Sequence, residues 1–256
     1  MARISDGSAT GLIVLALCLA AAVAAAEPSA LQPDDDGLPR VHFGFKAGLA
    51  LAQHQGTEPR EPEYTVSSTM RRGVAAGVFM ILPVTRRFGL QQEILYVQKG
   101  SHQDIGVTIL DIPTVLEVTY EQDYLEIPLL LRYHWLLKRD RNLYTLGGFA
   151  FGLKIHDRYR LSGSVSDGTE TVTLSADDDM SEVDIFDFAF TYGVGVEFPA
   201  LGGQFLVEYR FDLSLGALPL PTYAYVPFGD EEPILVDNEP VPLRNQCHMV
   251  MLGVRF

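Results

Sequence analysis

The sequence predicts an all-β protein, an eight-stranded antiparallel up-and-down transmembrane β-barrel with four long extracellular loops. Three observations carry that prediction. Eight segments alternate apolar with polar or small residues, three tight turns alternate with four long, mostly acidic connections between them, and the last segment closes the chain on Phe256. Successive side chains of a strand point to opposite sides, so period-two patterning gives each segment two unlike faces. In the clearest segment, 186–198, Phe186, Phe188, Phe190, Tyr192, Val194, Val196 and Phe198 share one face, and Asp187, Ala189, Thr191, Gly193, Gly195 and Glu197 share the other. Such an aromatic face suits lipid contact, and the small or charged one suits a filled interior.

The elements follow in order. Arg3, an uncharged apolar run from Leu12 to Val23, and Ala24-Ala25-Ala26 before Glu27 have the layout of a secretory signal peptide over residues 1–26. The apolar run is short for a spanning helix of about 20 residues. Cys18 does not make a lipoprotein signal, because Leu17 stands where that signal needs a small residue. Residues 27–40, with Asp34-Asp35-Asp36 and several prolines, read as a flexible periplasmic lead-in to a barrel domain over 41–256. Cleavage leaves Cys247 as the only cysteine, so no intramolecular disulfide is expected in an oxidising compartment.

The first strand, 41–52, sets Val41, Phe43, Phe45, Ala47, Leu49 and Leu51 against His42, Gly44, Lys46, Gly48, Ala50 and Ala52. The second covers 73–82, and a turn at 83–87 leads to the third, 88–99, with Leu90, Ile94 and Tyr96 opposite Gln91, Glu93 and Lys99. The fourth, 120–135, contains Pro128, which lacks a ladder donor and predicts a bulge. A turn at 136–142 precedes the fifth, 143–155, whose outward Thr145, Phe149, Phe151 and Leu153 leave Gly148, Ala150, Gly152 and Lys154 inside. The sixth is 186–198, a turn at 199–203 precedes the seventh, 205–213, and the eighth runs 246–256.

An unpaired backbone amide is costly in hydrocarbon, so strands span a bilayer only by closing on one another. Short turns mark the periplasmic end of such barrels, which assigns 54–72, 101–119, 156–185 and 216–245 to the exterior. Their formal charges are 0, −3, −6 and −4, against +2, +2 and 0 for the turns. Acidic loops suit contact with lipopolysaccharide through divalent cations, and they equally suit plain solubility. Phe43, Phe88, Tyr133, Trp135, Phe198, Phe205 and Phe256 cluster at the short-turn end as an aromatic girdle; the competing view places them at the ends of a soluble sandwich. A net charge of −14 argues against nucleic acid as a partner.

Three motifs resemble one family. Leu90-Gln91-Gln92-Glu93-Ile94-Leu95-Tyr96-Val97-Gln98-Lys99-Gly100, Tyr124-Leu125-Glu126-Ile127-Pro128 and Leu252-Gly253-Val254-Arg255-Phe256 resemble signatures of the PorT-like outer-membrane β-barrel family, in order and on the matching strands. Gln92 stands where the family usually has proline, and the connection at 156–185 is longer than the family leads one to expect. The resemblance implies an eight-stranded barrel resembling OmpA in a Gram-negative outer membrane, with no catalysis.

An eight-stranded barrel is wide enough only for its own side chains. Lys46, Glu93, Glu126, Arg132, Lys154, Asp187, Glu197, Glu208, Arg210, Asp212 and Arg255 fall on inward faces and are expected to form a lumenal charge network, because buried charges need partners. That network suits a polar plug; an ion or proton pathway is the alternative. Val250, Leu252, Val254 and Phe256 match a terminal signal for the barrel-assembly machinery. No catalytic, cofactor or metal constellation stands out: His42, His54, His102, His134, His156 and His248 lack the H-E-x-x-H spacing, and no G-x-S-x-G occurs. Ser101, His102 and His248 are the residues that a small-barrel lipid A-modifying enzyme would draw on. Asp177-Asp178-Asp179, Glu182 and Asp184 offer calcium its preferred oxygen ligands but lack EF-hand spacing. The expected function is therefore non-enzymatic, structural or interactive, with outer-membrane lipid, lipopolysaccharide and an envelope protein as partners. A component of a secretion or envelope-assembly complex is the alternative in the same fold, and a soluble periplasmic lipocalin-like carrier, whose interior would be apolar, is the alternative outside it.

Overall fold

Period-two patterning produces eleven strands among the described residues, because alternation persists well into the acidic connections. The computed structural model describes residues 41–55, 65–85, 87–109, 112–135, 142–166, 171–179, 185–200, 203–216, 223–228, 231–237 and 244–256. The signal peptide and lead-in, 1–26 and 27–40, lie outside the described residues. The strands are β1 (His42–Gln55), β2 (Thr65–Pro83), β3 (Phe88–Ile109), β4 (Ile112–Trp135), β5 (Asn142–Ser166), β6 (Thr171–Asp179), β7 (Phe186–Ala200), β8 (Gly203–Ser214), β9 (Tyr223–Phe228), β10 (Glu231–Asp237) and β11 (Arg244–Arg255).

Eight of these close a barrel in the order β1-β2-β3-β4-β5-β7-β8-β11, with β11 pairing back onto β1 from Gly44↔Arg255 to Gln55↔Arg244. Every pairing is antiparallel. Phe43, Leu49, Val78, Ile94, Leu129, Phe149, Phe188, Val207, Val250 and Leu252 are exposed on the outside, while the alternate positions are buried inside. No helix is long and apolar enough to cross a membrane among the described residues.

The connections expected to be loops are largely strand. β3, β4 and β5 have 22, 24 and 25 residues, about twice the 9–11 that a tilted strand needs to span hydrocarbon. Residues 101–109 and 112–119 form one continuous hairpin, and β5 passes the barrel rim to pair with β6 from Arg158↔Asp179 to Ser166↔Thr171. β2 follows β3 beyond the rim from Thr65 to Met70. Strands β2 to β6 thus continue outside the barrel as a five-stranded platform, and β9 and β10 form a separate hairpin. The physical reason is legible in β4: Thr114, Leu116, Val118 and Tyr120 keep the alternation and bury one face together with Leu161 and Leu174. Acidity there marks the exposed face of a strand, where composition alone predicts a loop.

The bulge expected at Pro128 is also displaced. Pro128 stays in register opposite Ala150, and the shift on β4 falls between Asp123 and Tyr124, opposite β5. The proline carbonyl accepts from Gln92 Nε2 at 3.1 Å. The same Gln92 Nε2 lies 3.4 Å from the Glu93 carbonyl oxygen on β3, the strand that faces Pro128, and so supplies a donor where the proline has none.

Gly100 is the one described residue whose backbone demands glycine, with φ of 125°. A Cβ there would sit 2.0 Å from the Tyr120 carbonyl oxygen across the β3–β4 ladder. Gly100→Ala is therefore expected to cost about 2 kcal/mol or more, read as a lower urea midpoint for Trp135 fluorescence in lipid vesicles; an unchanged midpoint would refute the strain.

Candidate functional site

Among the described residues, charged side chains converge out of water in the interior of the barrel. At its lower, short-turn half, Lys46 on β1 donates to Glu93 Oε1 and Glu208 Oε1, both at 2.8 Å. Arg210 on β8 donates from Nη1 to Glu93 Oε2 at 2.8 Å, and from Nη2 to Glu93 Oε1 at 2.9 Å and Glu208 Oε1 at 2.8 Å. Two cations and two carboxylates thus neutralise one another across β1, β3 and β8. The Tyr144 hydroxyl adds a 2.9 Å bond to Glu208, and its ring lies where a Cβ on Gly195 would stand.

A chain of contacts runs from this cluster toward the short-turn mouth. Gln91 Nε2 donates to Glu93, and the side-chain Oε1 of Gln91 accepts from Arg132 Nη1 at 2.7 Å. Arg132 stacks on the Tyr144 ring 3.4 Å from its centroid and faces Glu197 at 2.6 Å, which also meets Arg255 at 3.4 Å. There a cavity of about 250 Å³ opens between His42, His134, Glu197 and Arg255.

A second cluster sits above the first. Lys99 on β3 reaches Glu126 at 2.5 Å and Asp187 at 3.4 Å, lies 5.1 Å from the centre of the Tyr124 ring, and Ser214 donates to Asp187 at 2.6 Å. Asp212 lies between the clusters, buried, and neither of its carboxyl oxygens has a hydrogen-bond partner among the described residues. Lys154 pairs instead with Asp157 at the outer rim.

Of the eleven residues expected in the lumen, ten are buried and Arg255 is half-buried at the mouth. They form two clusters and a rim pair where one network was expected. Register separates them: Lys46 lies opposite Gly77 on β2 and Gly253 on β11, whereas the functional groups of Lys99 and Glu126 meet several positions higher. Lys99 belongs to the upper cluster; its inward parity with Gln91 and Glu93 is legible in the sequence, but its membership is not, because its partners Glu126 and Asp187 lie on other strands. Gln91 and Tyr144 were missed as neutral bridges.

Above the upper cluster, the Ser101 hydroxyl lies 2.8 Å from His54 Nδ1, and His54 Nε2 lies 3.3 Å from Gln122 Oε1. Gln122 Nε2 donates to Asp157 at 3.4 Å, which fixes the amide orientation. Ser101 has no exposed surface, so the pair clamps β1 to β3 and offers no nucleophile to solvent. His102 and His248 face outward, bonded to Thr119 at 2.9 Å and Tyr209 at 2.8 Å. The structure does not bring the three together. On the platform, Arg158 donates to both carboxyl oxygens of Asp177 at 2.6 Å, and that bond holds the Asp177 carboxyl below the usual carboxylate range. Glu182 and Asp184 lie outside the described residues, and no described group of three or more such side chains is placed to hold a metal ion.

At the short-turn end, Phe43, Phe88 and Trp135 are exposed. Rings follow one another from Phe88 to Tyr133 and Tyr133 to Trp135, each step 4.9 Å, and from Phe198 to Phe205 at 6.3 Å. Val250, Leu252 and Val254 alternate outward on β11, and the amide of Phe256 donates to the Phe43 carbonyl at 2.8 Å.

The profile of the family described as outer membrane protein beta-barrel domain matches residues 30–218. The chain belongs to that family. This barrel therefore sits in the outer membrane. None of the curated proteins matches it. Among solved structures it is similar to Ail, the attachment invasion locus protein of Yersinia pestis (13% identity, 84% of this chain and 98% of that one, TM-score 0.35), and to OprG from Pseudomonas aeruginosa (12%, 87% and 99%, TM-score 0.39). It is also similar to the outer membrane protease OmpT from Escherichia coli (7%, 90% and 99%, TM-score 0.42).

Breaking a buried ion pair from one side strands its partner, at about 3 to 5 kcal/mol. In this outer-membrane barrel, Lys46→Met is expected to lose about 3 kcal/mol of unfolding free energy in vesicles, and adding Glu208→Gln is expected to restore part of that loss. A double variant as unstable as the sum of its singles would show that the two groups are not coupled.

Proposed function

We propose that this barrel is a non-enzymatic outer-membrane protein of structural and interactive role, in which a plugged lumen anchors a rigid extracellular platform. The observation that carries it is the continuity of β3, β4 and β5 from hydrocarbon into the five-stranded sheet outside. Interlocked side chains fill the lumen at the level of Lys46, Glu93, Glu208 and Arg210, which supports a plug over an ion or proton pathway. The burial of Ser101 supports the absence of catalysis. A PorT-like character and an envelope protein as partner are part of the same proposal, and rest on the three sequence motifs and the exposed platform.

Two experiments test it. Replacing 101–119 and 156–179 with short turns should leave heat-modifiable migration intact while abolishing site-specific crosslinks from the platform to envelope proteins; crosslinks formed equally without it would refute the proposal. In planar bilayers the unaltered barrel should not conduct, and sustained channel activity that disappears on Glu126→Gln or Arg132→Gln would replace the plug by a pathway. The outward alternation ending in Phe256 further supports recognition by the barrel-assembly machinery. Deletion of Phe256 should slow membrane insertion in cells, and unchanged insertion would remove that assignment.

A further inference from the structure

We infer that the β11–β1–β2 flank of the barrel binds a phosphate-bearing lipid of the outer leaflet through Arg72 and Arg244. The outward faces of these strands change from apolar to polar within one step of the ladder: Val74 gives way to Arg72 on β2 and Val250 to His248 on β11, Arg72 and His248 both standing opposite Leu51, and on β1 Leu51 gives way to Gln53. That level marks where acyl chains end and lipid headgroups begin. Below it, Leu49, Val250 and Leu252 are 65%, 52% and 64% exposed.

Arg72 stands at this boundary, opposite Leu51, and Arg244 stands above it, opposite Gln55. Both are exposed. Among the described residues every other cation of the outer half reaches a carboxylate: Arg71, Lys99, Lys154, Arg158 and Arg160 do so. Arg72 and Arg244 have no such partner, and the outward positions of β8, β11, β1 and β2 around them carry no acid. The flank is therefore cationic beside acidic outer connections. Between the two arginines, Gln53 Nε2 donates to Gln246 Oε1 at 3.0 Å, which leaves the Gln246 amide free to donate outward. Guanidinium groups bind phosphate through paired N–H donors, and phosphate is the anion that outer-leaflet headgroups place at this depth above their chains.

The test is a titration of the purified full chain, held in phosphatidylcholine nanodiscs, with bisphosphorylated lipid A and with its dephosphorylated counterpart. The phosphorylated lipid should bind at least about tenfold more tightly, and Arg72→Gln with Arg244→Gln should cost about tenfold, one charge-assisted contact or more. Arg87→Gln, at the periplasmic turn, should change binding less than about twofold. Heat-modifiable migration checks that the variants are folded. The inference fails if the double variant binds as the unaltered barrel does, if Arg87→Gln weakens binding equally, or if inorganic phosphate displaces the lipid at equal concentration, which would assign the arginines to a free anion.

Discussion

Hydrocarbon supplies no hydrogen-bond partner, so everything else in this molecule depends on closing the ladder between β11 and β1. That seam runs without interruption from Gly44↔Arg255 to Gln55↔Arg244, and it turns eight amphipathic strands, none stable alone in a bilayer, into one cylinder. Closure also decides what the inside is. Side chains that alternate outward meet lipid, and those that alternate inward are packed into a space too narrow for bulk water.

The charged interior follows from this geometry. Two cations and two carboxylates at the level of Lys46 cancel within hydrogen-bond distance, and Lys99 meets Glu126 and Asp187 in the same way higher up. Buried ion pairs contribute little net stability over apolar packing. They do punish misassembly, because a strand shifted by two residues would leave charges without partners. In this barrel they serve to define register more than to deepen the energy minimum.

How much of this was legible depends on the distance over which the information is carried. Parity is local, so 186–198 and the inward position of Glu93 could be read from neighbours along the chain. Pairing is not local: Lys46 meets Glu208, separated by 162 positions, and Arg210 meets Glu93 across 117. Those matches depend on the stagger of the closed sheet, which one sequence does not reveal. The platform is a different case: Thr114, Leu116, Val118 and Tyr120 carry the strand pattern through a segment whose acidic composition predicts a loop. Pro128 stays in register although a proline predicts a bulge, because Gln92 reaches across the ladder beside it.

The switch of β5 from β7 to β6 has a mechanical consequence. The lower part of β5 is held by β4 and β7, the upper part by β4 and β6, so the strand is clamped on both edges along most of its length. The one break in that clamp, at 154–157, coincides with the register shift opposite Asp123 and Tyr124, so bending of the platform against the barrel is confined to that short stretch. A partner of the kind proposed would meet a pre-formed sheet and forfeit little conformational freedom on contact, whereas a pliant tether would have to be frozen at each encounter.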